Sequence, residues 1–152
     1  MLIIAVVGQV GSGKTALLRT LAEWWRSQGK EADGFVAIAG ERIPGMRGAA
    51  QYDIEMLKDS KRSTYAVRDE SRHPPYRFDE ATARALSNWA DGLGAGSRPS
   101  LVVVDEFGPV EAAGGGHVSL WPRILSAKPD LVVVAMRKGV ESAIGTQLGT
   151  GF

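Results

Sequence analysis

Three short stretches of this chain are apolar at every position: residues 2–7, 101–104 and 131–136. Each has the length of a strand. Being apolar on both faces, they suit strands of a parallel sheet covered by helices on each side. Residues 16–28 follow another rhythm. Leu17, Leu18, Leu21, Trp24 and Trp25 fall at helical spacing, and Gly29 follows as a stop. Residues 34–39 read as a second strand. Asp79 is a suitable N-cap for a helix over 80–92, whose apolar stripe is Ala83, Leu86, Trp89 and Ala90. A third short helix is expected over 118–125, its shape limited by Pro122. Strands alternating with helices predict an α/β, doubly wound, mostly parallel sheet.

Residues 40–77 interrupt that alternation. Gly40, Pro44, Gly45 and Gly48 are turn formers. Residues 52–57 and 64–67 alternate weakly, which predicts a strand pair joined around 58–62. His73, Pro74 and Pro75 read as a surface loop, and Gly114 to Gly116 as a flexible joint. The region is expected to be a β-hairpin insertion that extends the sheet. No internal repeat divides the chain, so residues 1–152 are read as a single domain.

Composition narrows the function classes. Lys plus Arg number 18 and Asp plus Glu 17, so the net charge is 18 − 17 = +1. That balance gives no nucleic-acid-coating excess and no acidic tail. At 44% hydrophobic and 23% charged residues the chain has globular composition. Cysteine is absent, which removes disulfides and thiolate metal sites. No apolar run approaches the roughly 20 residues of a membrane span, and residues 1–7 lack the basic start and cleavage site of a signal peptide. The expected location is cytoplasmic.

The chemistry enters at Gly8, Gln9, Val10, Gly11, Ser12, Gly13, Lys14 and Thr15, which fit G-x-x-x-x-G-K-[ST] at every fixed position. The match follows an apolar strand and precedes an amphipathic helix opening at Ala16, where a phosphate loop (Walker A) belongs. Backbone N–H groups of a glycine-rich turn can face crowded phosphate oxygens. The helix N-terminus adds partial positive charge. Lys14 is expected at the β- and γ-phosphates, and the Thr15 hydroxyl on Mg²⁺. A second motif follows. Residues 101–104 deliver Asp105 and Glu106 to the C-terminal end of a strand, the ligand side of an open α/β sheet. Asp105 is the expected Mg²⁺ partner, and Glu106 the base that polarises the attacking water.

Asp105 to Gly108 also satisfies D-x-x-G, a spacing used by switch GTPases. The only asparagine is Asn88, in a helix and without the accompanying lysine of a guanine-reading sequence. Guanine-only selectivity is not expected. An arginine on the developing charge would assist transfer. The candidates are Arg42, Arg47, Arg62, Arg68 and Arg137, with Arg42 and Arg137 foremost. His73 and His117 have no companion at metal-ligand spacing, and the four tryptophans suit packing.

The stretch from Val103 through Asp105, Glu106, Phe107, Gly108, Pro109 and Val110 to Glu111 resembles the small P-loop nucleoside-triphosphatase family of thermophilic and cancer-related type, which shows an Asp-Glu-Ile-Gly-x-Met-Glu pattern there. Gly34-Phe35, Glu41-Arg42, Arg47-Gly48 and Tyr52 to Ile54 are similar to the family's arginine-rich hairpin. Lys128-Pro129 and Arg137 also fit. The resemblance implies a RecA-like fold and a Mg²⁺-dependent NTPase with loose base selectivity among ATP, GTP and other triphosphates. It carries Lys14, Thr15, Asp105 and Glu106 into those roles. The family continues further past the last strand than residues 139–152, a short glycine-interrupted stretch. The resemblance therefore leaves base preference open, along with a protein partner or homo-oligomer. Two other readings share the phosphate loop. One is a nucleotide-dependent switch or adaptor presenting residues 40–77. The other is a small-molecule kinase with Arg62, Arg68 and Arg72 on a lid.

Overall fold

The computed structural model describes residues 1–96 and 98–152. Its centre is a seven-stranded sheet. In chain order the elements are β1 (Leu2–Gly8), α1 (Lys14–Ser27), β2 (Ala32–Ala39), β3 (Gln51–Met56), β4 (Arg62–Arg68), β5 (Tyr76–Phe78) and α2 (Glu80–Gly92). There follow β6 (Leu101–Phe107), α3 (Pro109–Ala112), a 3-10 turn (Gly116–Leu120), α4 (Trp121–Ser126), β7 (Leu131–Arg137) and α5 (Glu141–Leu148). The strand order is β1-β7-β6-β2-β3-β4-β5. The first four are parallel, and β2 to β5 form an antiparallel extension. The expected α/β sheet with a β insertion is thus present. The parallel strands end along one edge, where Gly8 of β1 pairs with Arg137 of β7.

The two sheet faces bury different helices. Leu18 and Ala22 of α1 pack on Val36, Val103 and Val133. On the other face Leu86 of α2, Ile124 of α4 and Ile144 of α5 pack on Phe35, Val104 and Val134. Phe35, Ile124 and Ile144 are fully buried, so truncating any one to Ala costs about 2–5 kcal/mol. α2 starts at the expected cap: the Asp79 carboxylate accepts the Thr82 N–H at 2.8 Å. Arg19 pairs with Glu55, which also pairs with Arg62, so α1 is tied to the insertion.

Several expectations shift. β1 is an edge strand bonded only to β7, and Leu2 and Ile4 are 59% and 42% exposed. Its apolar run therefore does not signal cover on both faces, because α1 leans away toward β2. The helix read at 16–28 begins two residues earlier, at Lys14, and is capped by Gln28 with left-handed Gly29 next. The helix expected over 118–125 splits into the 3-10 turn and α4, with Pro122 in the first turn of α4, where a missing N–H costs nothing. The stretch 139–152 holds a helix, α5, whose Ile144 and Leu148 are buried. β5 after the His73–Pro75 loop is an added strand too short for a periodicity signal. No described helix is long and apolar enough to cross a membrane.

Gly34 pairs with Val103 in the β2–β6 ladder and holds φ +123°. A Cβ there would lie 2.0 Å from the Val103 carbonyl oxygen. Gly34→Ala is therefore expected to destabilise the fold by about 3 kcal/mol or more. Urea unfolding of the two proteins measures it, and a change under 1 kcal/mol would contradict the close approach.

Candidate active site at the strand ends

The loop between β1 and α1 is built by glycine. Gly11 and Gly13 hold φ +74° and +89°, a region where a Cβ is costly. At Gly8 a Cβ would stand 2.5 Å from Ser12 Oγ. The turn closes through Ser12 N–H to the Gln9 carbonyl at 3.2 Å. Among the described residues no side chain caps α1, and its first turn carries no acid. The N–H groups of that turn and the helix dipole are thus left to attract an anion. Lys14 is only 9% exposed. Its ammonium folds back to donate to the carbonyls of Gly8 at 3.1 Å and Gln9 at 2.7 Å. Gln9, Val10 and Ala16 line the same loop and the helix opening.

Thr15 and Asp105 meet directly. The Thr15 hydroxyl donates to Asp105 Oδ2 at 2.6 Å. The same oxygen accepts the Ala37 N–H at 3.1 Å, and Oδ1 accepts the Glu106 N–H at 2.8 Å. Asp105 is fully buried. Burial pushes its carboxyl up to about 6 despite those three donors, the Thr15 hydroxyl chief among them, and the Glu106 charge adds to the rise. A buried carboxylate with only neutral donors is short of a cation. The donor set is oxygen only, as a hard divalent ion prefers. Among the described residues no group of three or more His, Cys, Asp or Glu could hold a metal by itself.

Glu106 breaks the regular strand. Its φ is +67°, and the β6–β7 register slips between Val104 and Phe107. A non-glycine residue in that region is strained, and such strain collects at functional sites. The bulge turns the Glu106 carboxylate toward β7, where Arg137 Nε and Nη2 donate to Oε1 at 2.9 and 2.8 Å. Arg137 Nη2 also reaches the Tyr52 hydroxyl at 3.4 Å. Arg42 lies over the loop: a Cβ on Gly11 would come 2.2 Å from its Nη2.

Of the five candidate arginines, the fold therefore brings two to the loop, Arg42 and Arg137. Arg62 is engaged by Glu55, and Arg68 by Glu70, Tyr76 and the Arg47 carbonyl. Arg47 contributes its carbonyl to that contact and its side chain is exposed. Asn88 lies within α2. His117 is buried against Phe35, Tyr65 and Phe107 rather than presented to a metal. One contributor lacked a sequence signal, the Ala37 backbone N–H, which any residue could supply; the sequence marks Tyr52 only as part of the hairpin, with no role at the site.

The Asp105 shift has a testable sign. Its folded pKa lies above the unfolded 3.8, so the charged form costs stability above about pH 6. That cost is relieved as pH falls and levels off near pH 4, where the unfolded carboxyl is protonated too. Relative to Asp105→Asn, the wild type is expected to gain stability between pH 7 and pH 5. Melting curves of both proteins across that window read the difference, and a flat difference contradicts the burial argument.

Comparisons with known proteins bear on the fold and the family. In solved structures the fold is similar to a human cancer-related nucleoside triphosphatase, with TM-score 0.70 and 21% identity over 98% of this chain and 84% of that one. It is also similar to THEP1 from the hyperthermophile Aquifex aeolicus, with TM-score 0.62 and 18% identity over 99% of this chain and 87% of that one. No curated protein matches. The family model described as NTPase matches residues 3–149, which takes in the phosphate loop, Asp105, Glu106 and Arg137, and the chain belongs to that NTPase family.

Proposed function

We propose that this NTPase hydrolyses the γ-phosphate of ATP, GTP and related nucleoside triphosphates in a Mg²⁺-dependent reaction, with Glu106 as the base. The observation that carries the reading is the meeting, at one sheet edge, of a cationic phosphate loop, a buried carboxylate bonded to the loop's threonine, and a strained glutamate held by an arginine.

The loop N–H groups and the α1 N-terminus receive the phosphates. Lys14 exchanges two neutral carbonyl acceptors for charged phosphate oxygens, a stronger pairing. Thr15 and Asp105 are the residues that would hold Mg²⁺, which when bound offsets the charge on the β- and γ-phosphate oxygens. Arg137 now spends two donors on Glu106. A γ-phosphate competes for that guanidinium, leaving the Glu106 carboxylate to accept a proton from water. The water oxygen then bonds to the γ-phosphorus, the bridging oxygen leaves with the diphosphate, and the proton held on Glu106 is returned to the products. Arg42 and Arg137 face the charge that develops on the transferring group. The arginines a kinase lid would use form surface ion pairs away from the phosphate loop, Arg62 with Glu55, Arg68 with Glu70 and Arg72 with Asp69.

Phosphate release from ATP, GTP, CTP and UTP with Mg²⁺ tests this. Wild type is expected to release phosphate from more than one triphosphate. Lys14→Ala is expected to lose about 10²–10³-fold in rate, and Glu106→Gln about 10²-fold with binding retained. Tight binding without release, or release indifferent to both substitutions, contradicts the proposal.

A further inference from the structure

Glu111 is a second unusual carboxylate, outside the set assigned above. It lies on α3 and is 5% exposed. Both oxygens are used: Oε2 accepts the Gly108 N–H at 2.9 Å and Oε1 accepts the His117 N–H at 3.2 Å. No cation pairs with it among the described residues. Burial pushes its pKa above the usual carboxylate range against the pull of those N–H donors, and the Glu106 charge adds to the rise. The backbone makes room for it. Gly116 holds φ +54°, and a Cβ there would stand 2.0 Å from Oε1.

A helix cap does not account for this expense. α3 has four residues, and a cap returns about 1 kcal/mol. Burying a carboxylate without a cation costs several kcal/mol. The contacts of Gly108 offer a fuller account. Its N–H is held by Glu111, and a Cβ on Gly108 would lie 3.3 Å from Arg137 Nε. Two residues earlier stands the left-handed Glu106. The turn from Glu106 to Gly108 is thus fixed from below by Glu111 and carries Arg137 against it. Left unclamped, Glu106 could relax out of its strained conformation, taking its carboxylate off line.

We infer that Glu111 is a positioning residue for hydrolysis: its carboxylate clamps Gly108 and His117 so that Glu106 keeps its left-handed backbone conformation and its carboxylate stays at the sheet edge. The inference rests on the role of Glu106 proposed above. A double-mutant cycle separates the two. Glu111→Gln keeps the volume but sets an amide N–H₂ against one of the two N–H donors. With Mg²⁺-ATP, kcat and KM are measured for wild type, Glu111→Gln, Glu106→Gln and the double variant, with melting curves to confirm folding. Glu111→Gln is expected to lower kcat about 10–100-fold with KM held within about threefold. In the Glu106→Gln background the same change is expected to cost less than about threefold, because the group it positions is already disabled. Gly116→Ala displaces the carboxylate without removing it, and should reproduce the kcat loss if Glu111→Gln does not fold.

Full activity in a folded Glu111→Gln overturns the inference. So does an equal loss in both backgrounds, which marks a general structural role. Failure of both Glu111→Gln and Gly116→Ala to fold assigns Glu111 to folding and overturns it as well. If Glu106→Gln itself keeps the wild-type rate, the base reading falls and this inference with it. If Glu106→Gln is slow and the losses are additive, only the clamp falls.

Discussion

A single hydrogen bond, Thr15 Oγ1 to Asp105 Oδ2, joins residues 90 apart in the chain. It ties the end of the phosphate loop to the end of β6. For the bond to form, β1 and β6 must reach the same edge of the sheet with β7 between them, which the parallel order provides. Asp105 must also be delivered into a dry environment, which Val102, Val103 and Val104 secure by their full burial. The Ala37 N–H then brings β2 to the same oxygen. The sheet, the loop and the acid are therefore one construction. A charged carboxylate is held there at some cost to stability, a common trade at sites that bind charged ligands.

Three cations, Lys14, Arg42 and Arg137, converge on this edge. Lys14 turns to carbonyl oxygens, and Arg42 lies over Gly11. Among the described residues, Arg137 alone of these three has an ionic partner, and that partner is Glu106. In the proposed reaction a triphosphate supplies oxygens that are better acceptors for lysine and arginine than neutral carbonyls are. The strain at Glu106 belongs to the same account. The bulge costs backbone energy and yields a carboxylate directed sideways along the sheet edge, within reach of β7. A regular strand would send alternate residues to opposite faces instead.

Much of this was legible in the chain itself, for physical reasons. The phosphate loop is local: its glycines, lysine and threonine act within eight consecutive residues, so spacing alone carries the geometry. Asp105 is readable because four apolar residues before it mark a buried strand with a polar end. The insertion shows itself by turn formers and weak alternation. Other features depend on distant neighbours and leave no such trace. The edge position of β1 follows from strand order, which its apolar run cannot encode. Glu106's left-handed φ and its pairing with Arg137 arise from a register slip between two strands. The engagement of Arg62 and Arg68 by Glu55, Glu70 and Tyr76, which leaves Arg42 and Arg137 at the loop, needs the folded insertion. α5 stayed hidden because its apolar spacing is weak and glycines interrupt it, although Ile144 and Leu148 are buried once it docks.

In the proposed reaction, water directed by this sheet edge attacks the γ-phosphorus. Hydrolysis of Mg²⁺-ATP in water enriched in ¹⁸O, followed by mass spectrometry of both products, tests it most directly. Attack at the γ-phosphorus places ¹⁸O in the released phosphate and none in the diphosphate. Label in the diphosphate, or transfer of the γ-phosphoryl group to an acceptor other than water, would contradict it.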